Sequence, residues 1–316
     1  MRILVIGAGA LGIGIGASLK DAGAEVDFFA KGETKAAIDA CGISRKEWFK
    51  DIEIPAGQVG TYDDYATLPE DAYDFIIIST KTIANAEVSE KLAEYAGCMK
   101  ENCKIIFMQN GMGYEAPFME FFEDFEIYHS RVITGFKKVS PSASVITAHQ
   151  DPIFIGSIYG YDNAPIQPVV DVLNASGIPA QVEEEISKAL WAKLIYNTTL
   201  NPLGAILGMS YGELADSEYA HSIMDILIEE TFEVMNRAGG VTYWNNADAY
   251  RKVLFEEMIP VTYDHRSSTL QDIEKKQKTE IDTLTGALLN LASACNMPAP
   301  MHSMMFSLVK ALEEKF

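Results

Sequence analysis

Residues 3 to 14 read Ile3-Leu4-Val5-Ile6-Gly7-Ala8-Gly9-Ala10-Leu11-Gly12-Ile13-Gly14. Four apolar residues predict a strand that runs straight into G-x-G-x-x-G. The next stretch, 13–22, closed by Gly23, predicts a helix. Each glycine has its own task. Gly7 permits a tight turn, Gly9 lets a pyrophosphate approach the backbone, and Gly12 lets helix and strand pack closely. The helix start, with Ala10 and Leu11, offers backbone N–H groups and a partial positive charge to phosphates. A second strand is expected at 25–30, so the motif sits in a strand–helix–strand context and predicts a dinucleotide site.

The second strand selects between the two nicotinamide cofactors. It ends Val26-Asp27-Phe28-Phe29-Ala30-Lys31. An NAD site carries Asp or Glu about 20 residues beyond the glycines to bind the ribose hydroxyls. Here that position is apolar and a lysine follows. A cation suits a 2′-phosphate, which a carboxylate would repel, so the reading favours NADP(H) with Lys31 as a phosphate ligand. The acidic alternatives are Glu33 and, in a register shifted by two, Asp27. Lys31 as an ordinary solvated loop lysine also stays open.

A length of 316 residues accommodates two domains, and 48% hydrophobic residues is ordinary for a globular chain. A net charge of −20 excludes nucleic acid as a partner, because that needs a basic face. No apolar run approaches the roughly 20 residues of a membrane span. The N-terminus reads as a strand rather than a signal peptide, so a cytoplasmic protein is expected. Cys41, Cys98, Cys103 and Cys295 form no C-x-x-C pair and no metal-ligand spacing, and no metal is expected.

Strands are expected at 2–6, 25–30, 74–80, 104–108, 128–132, 153–158 and 179–183, with a helix at 166–175. Beyond about residue 187 a period near 3.6 dominates, at 187–207, 218–238, 247–258 and 279–294. The chain therefore reads as an α/β Rossmann-type N-terminal domain, 1–185, followed by an all-α C-terminal domain, 186–316. That order puts a substrate in a cleft between the two. Lys81 directly follows the third strand, and Asn110 follows the fourth ahead of Gly111 and Gly113. Lys193, Asn197 and Asn201 are spaced i, i+4, i+8 and share one helix face amid Leu190, Trp191, Leu194 and Leu200. Such a stripe either lines a polar cleft or fixes helix packing through a buried network. Pro202 is expected to disturb the helix near residue 198. The apolar helical half can support a homodimer.

Together these residues resemble the ketopantoate reductase (2-dehydropantoate 2-reductase) family over nearly the whole chain. The resemblance rests on the N-terminal glycine motif, Lys81, Gln109-Asn110-Gly111-Met112-Gly113, and W-x-K-L-x-x-N-x-x-x-N-P-L from Trp191 to Leu203. It extends to Ser267-Ser268-Thr269-Leu270-Gln271-Asp272 and Thr279-Glu280-Ile281-Asp282. It implies NADPH-dependent reduction of 2-dehydropantoate to (R)-pantoate, on the way to pantothenate and coenzyme A. By resemblance, Lys193 is the general acid and Asn197, Asn201, Ser268 and Asn110 bind substrate. Glu280 holds the substrate hydroxyl and orders Lys193, while Asn110, Lys81 and Glu280 also face the cofactor. The chain departs from the family pattern in three places. Lys276-Gln277 stand where many members carry Gly-Arg, Lys31 stands for an arginine, and 147–152 replaces a segment usually richer in glycine. Two other readings compete: a reductase of another 2-oxo acid or ketone, and a non-catalytic NADP(H)-binding sensor.

Overall fold

A computed structural model describes residues 1–123 and 125–316. The chain divides into two compact units, residues 1–109 with 114–186, and residues 110–113 with 187–316.

The first unit contains strands β1 (Arg2–Ile6), β2 (Glu25–Phe29), β3 (Ile43–Lys46), β4 (Ile52–Ile54), β5 (Gly60–Tyr62), β6 (Tyr73–Ile78), β7 (Met99–Phe107), β8 (Ile127–Arg131), β9 (Gly135–Ser140), β10 (Ala143–Ala148), β11 (Ile153–Gly156) and β12 (Ala180–Val182). Its helices are α1 (Ala10–Asp21), α2 (Gly32–Cys41), α3 (Asn85–Glu94), α4 (Ala116–Met119) and α5 (Gln167–Ala175). The main sheet runs β12-β11-β8-β7-β6-β1-β2-β5. From β5 to β8 every neighbouring pair is parallel, and β11 joins β8 antiparallel. Six parallel strands in this order form the doubly wound Rossmann arrangement, whose strand order reverses between β1 and β6.

The apolar runs explain the layers. Side chains alternate across a strand. In β1, Ile3 and Val5 join one core with Ile13, Leu19 and Ile77. Leu4 and Ile6 join another with Val88, Leu92 and Ile105. A strand covered on both faces is apolar throughout, which is why β1, β6 and the end of β7 are legible in the sequence.

Five strands are not. No strand is expected within 31–73 or 133–152, yet these stretches contain β5, which extends the main sheet, and a second sheet in the order β4-β3-β10-β9. None of them is an unbroken apolar run, and β9 exposes its last four residues, so composition does not mark them. The second sheet packs on α1. A Cβ at Gly14 would lie 2.5 Å from the Phe136 ring, so the missing side chain is what seats β9 on the helix.

The second unit is helical, with α6 (Ile186–Leu207) starting at the joint, then α7 (Tyr211–Asp216), α8 (Glu218–Arg237), α9 (Ala247–Val253), α10 (Ile259–Val261), α11 (Ser268–Glu274), α12 (Thr285–Ala294) and α13 (Pro300–Glu313). One core gathers Leu194, Leu203, Leu227, Tyr250 and Leu288. One expectation needs correction and another is left as it stood. Helix α6 continues through Pro202, which has no N–H to give to the carbonyl of residue 198. The helix expected over 279–294 starts only at Thr285. There Thr279 gives its backbone N–H and its hydroxyl to Glu313, at 2.7 and 2.6 Å, instead of entering a helical turn. Among the described residues no helix is long and apolar enough to cross a membrane.

Candidate functional site

In the first unit the site is the glycine loop between β1 and α1. Gly7 has φ +108°, and a Cβ on it would lie 2.6 Å from the Thr80 nitrogen. Its N–H donates to the Phe29 carbonyl at 3.2 Å, and its carbonyl accepts from the Ser79 hydroxyl at 2.7 Å. The loop is thus held between the ends of β2 and β6, where only glycine has room. A Cβ at Gly12 would overlap the Gly7 carbonyl. Gly9 is the opposite case, since nothing lies within 4 Å of its Cβ position. Gly9 caps α1 with no side-chain hydrogen bond, and the first turn, Ala10 and Leu11 included, holds no acid. An open backbone surface beside undamped N–H donors fits a pyrophosphate.

Beside the loop lies a cavity of about 280 Å³, lined by Ala8, Phe29, Lys31, Thr34, Tyr65 and Thr80 among others. The Phe29 and Tyr65 rings stack with centroids 3.9 Å apart, offering a flat apolar wall. Lys31 is the N-cap residue of α2, exposed, and 3.2 Å from Glu87. Asp27 is not available to a ribose. It is 5% exposed and is used by Arg2 (2.7 Å), the Tyr73 hydroxyl (2.9 Å) and the Gly60 N–H (3.1 Å). Lys81 is exposed just beyond β6, capping a 3₁₀ turn. Gln109, at the end of β7, is committed to structure. It exchanges two amide hydrogen bonds with buried Asn85, at 2.9 and 2.7 Å, and donates to the Thr80 carbonyl at 2.8 Å.

In the second unit three distant segments meet on Asn110. The half-buried Lys193 ammonium on α6 donates to Asn110 Oδ1 at 2.6 Å. Asn110 Nδ2 donates to Glu280 Oε2 at 3.3 Å. An amide is the side chain suited to this place, because its oxygen accepts from a cation while its nitrogen donates to a carboxylate. Gly111 has φ +100°, and a Cβ there would overlap the Thr283 carbonyl, which accepts from the Met112 N–H at 3.0 Å. Asn197 is half-buried one turn along α6 from Lys193. Asn201 is 3% exposed, and its Oδ1 accepts from the Tyr211 hydroxyl at 2.9 Å. The buried Ser267 caps α11, bonding the Leu270 N–H at 3.0 Å and the Asn201 carbonyl at 3.3 Å. Ser268 follows it and is exposed.

Residues 3–160 match the family model described as ketopantoate reductase PanE/ApbA, and residues 185–313 match its C-terminal model. A 2-dehydropantoate 2-reductase of Aquifex aeolicus is 32% identical over 314 residues, covering 99% of this chain and 97% of the relative. The chain belongs to the ketopantoate reductase family. Two solved structures share the fold. A PanE/ApbA family ketopantoate reductase from Ralstonia eutropha superposes with a TM-score of 0.86 at 24% identity, over 100% of this chain and 99% of that one. A D-mandelate dehydrogenase solved with NADH and anilino(oxo)acetate gives 0.84 at 23%, over 100% and 99%.

In a ketopantoate reductase of this kind, Lys193, Asn110 and Glu280 are legible in the sequence, but the bonds between them are not. Nor are the residues that support them. Glu313, with its side chain nearly fully buried, anchors Thr279 beside Glu280. Burial pushes its carboxyl up, but bonds from Thr279 and the charge of Lys310 outweigh that and hold it below the usual range. Lys138 on β9 donates to the Ala8 carbonyl at 3.2 Å and to the Thr34 hydroxyl at 2.8 Å. Desolvation lowers its ammonium from the usual lysine value, with Glu33 acting the other way. Only the Lys137-Lys138 pair inside an otherwise apolar-to-neutral stretch could have drawn attention to it.

Proposed function

We infer that the protein is an NADP-dependent oxidoreductase that reduces 2-dehydropantoate to (R)-pantoate, with Lys193 as the general acid. The observation that carries this reading is the Lys193–Asn110–Glu280 chain, at 2.6 and 3.3 Å. When bound, the reduced nicotinamide supplies a hydride to the carbonyl carbon. The carbonyl π pair moves to oxygen, and Lys193 Nζ stabilises the developing charge and gives it a proton. Asn110 holds the ammonium by its oxygen, so one N–H points along a fixed direction. Glu280, the next group along the chain of bonds, accepts from the Asn110 amide and keeps it from flipping. Asn197 and Ser268 supply neutral donors for the substrate carboxylate and hydroxyl. Asn201 serves the same surface indirectly, by fixing α6 against Tyr211. The glycine loop with Gly7, Gly9 and Gly12 holds the pyrophosphate. Lys31 at the end of β2, with Asp27 engaged elsewhere, supports NADPH over NADH, and Lys81 adds a second exposed cation beyond β6.

The test follows absorbance of the reduced nicotinamide with 2-dehydropantoate, comparing NADPH with NADH. Oxidation of NADPH in preference to NADH is expected. Lys193→Ala should lower kcat by on the order of 100- to 10,000-fold and leave NADPH affinity unchanged. Undiminished turnover in that variant removes Lys193 from the mechanism. Tight NADPH binding with no turnover of 2-dehydropantoate, but turnover of another 2-oxo acid, moves the substrate and keeps the chemistry.

A further inference from the structure

We propose that Lys138, carried by the small second sheet, is a cofactor-specificity residue that binds the 2′-phosphate of NADP together with Thr34 and Lys31. The proposal rests on the nicotinamide-cofactor reading above and adds a ligand from a sheet outside the doubly wound core. Its basis is a register fixed by packing. Gly14 on α1 leaves room for the Phe136 ring. Phe136 and Lys138 are two apart on β9, so they leave the strand on the same face. Seating the ring on α1 therefore sends the lysine along the helix towards its N-terminus. There its ammonium joins two segments, the glycine loop through the Ala8 carbonyl at 3.2 Å and α2 through the Thr34 hydroxyl at 2.8 Å.

Ala8 and Thr34 both line the cavity that also contains Lys31 and the Phe29–Tyr65 stack. Thr34 lies in the first turn of α2, just past the end of β2, where the adenosine ribose of a Rossmann dinucleotide is read. The two acceptors of Lys138 are both neutral, whereas Lys31 is paired with Glu87 at 3.2 Å. An ammonium has three donors, and Ala8 and Thr34 take two. Glu33 is the nearby acid that acts on this ammonium, but it makes no hydrogen bond to it, so a phosphomonoester would supply the first directly bonded negative charge, with the Thr34 hydroxyl as a further donor. In a chain of net charge −20, a second local cation matters more than it would in a neutral one.

The experiment titrates nicotinamide fluorescence of NADPH and, separately, of NADH with wild type, Lys138→Gln and Lys138→Arg. Lys138→Gln should raise the Kd for NADPH about tenfold and that for NADH less than about twofold. Lys138→Arg should recover most of the loss, because it keeps the charge. Lys138→Thr, which suits an edge strand, stands in should the glutamine variant not fold. Equal weakening of both nucleotides would place the lysine at the pyrophosphate or in loop geometry and overturn the proposal, as would no change in either. Wild type that binds neither nucleotide overturns the parent reading, and this one with it, before any substitution is made.

Discussion

At the scale of the residue, Gly111 is the most constrained position beside the proposed acid. Its φ of +100° is left-handed, and a Cβ would overlap the Thr283 carbonyl. Alanine there must push residues 110–112 away from Thr283 and break the 3.0 Å bond from Met112. Asn110 then shifts against both Lys193 and Glu280. Gly111→Ala is expected to lower kcat on the order of 100-fold, the usual cost of a displacement near 1 Å in a catalytic group. Affinity for NADPH should hold, because the glycine loop is untouched. A variant with normal kcat would show that Asn110 can move without harm. The residue types at this site were legible, since lysine, amide and carboxylate each had a recognisable setting. Their bonding was not, because 83 residues separate Asn110 from Lys193 and 170 separate it from Glu280. Asn201 shows the limit from the other side. Its helical spacing matched a polar face, but Tyr211, which takes its oxygen, could not be foreseen from spacing along α6.

At the scale of the element, the end of α11 carries its own strain. The Gln277 N–H bonds the Asp272 carbonyl at 2.8 Å and the Lys276 N–H bonds that of Ile273 at 3.0 Å, which is a Schellman ending. Lys276 occupies its left-handed position, φ +55°, where glycine is the residue that best suits a helix ending of this kind. Lys276→Gly should stabilise the protein by up to about 1 kcal/mol, the steric relief less the greater backbone entropy lost. Urea unfolding measures it, and a lower midpoint would contradict it. Helix α13 starts on another device. Glu230 accepts from the backbone N–H groups of Met301 and His302 at 2.9 and 3.0 Å and from the fully buried His302 ring at 2.9 Å. Burial raises its carboxyl, but the His302 ring and the two N–H bonds outweigh this, so the net shift is downward from 4.5. A lowered carboxylate stabilises above its unfolded value and loses that contribution as pH falls through its folded value. Thermal melts of wild type and Glu230→Gln should therefore differ at neutral pH, by about 1–3 kcal/mol, and converge only as pH falls below 4.5 and through the lowered folded-state value. A gap that persists at lower pH would assign the difference to packing. Elements apolar on every face, such as β1 and much of α6, were legible. The strands of the second sheet were not, because their order comes from packing on α1 rather than from their own composition.

At the scale of the whole molecule, charge and chain path matter most. A net charge of −20 repels a dinucleotide phosphate from afar, while local cations such as the proposed ligands Lys31 and Lys138 would act only at short range. Salt shortens the Debye length from about 30 Å at 0.01 M to about 10 Å at 0.1 M. The association rate constant for NADPH should therefore rise over that interval, as stopped-flow fluorescence can show. A fall would mean that the local cations already dominate the approach. The chain path has a different consequence. Asn110–Gly113 belongs to the helical unit although the residues on both sides of it belong to the other. The polypeptide crosses the boundary three times, so the two units are not two consecutive stretches of gene. A crossover placed after Ile186, whether by an engineer or by evolution, would deliver a helical half with its lysine and its glutamate and without the amide that joins them. Recombination can exchange these halves intact only if four residues from the middle of the other half travel with them.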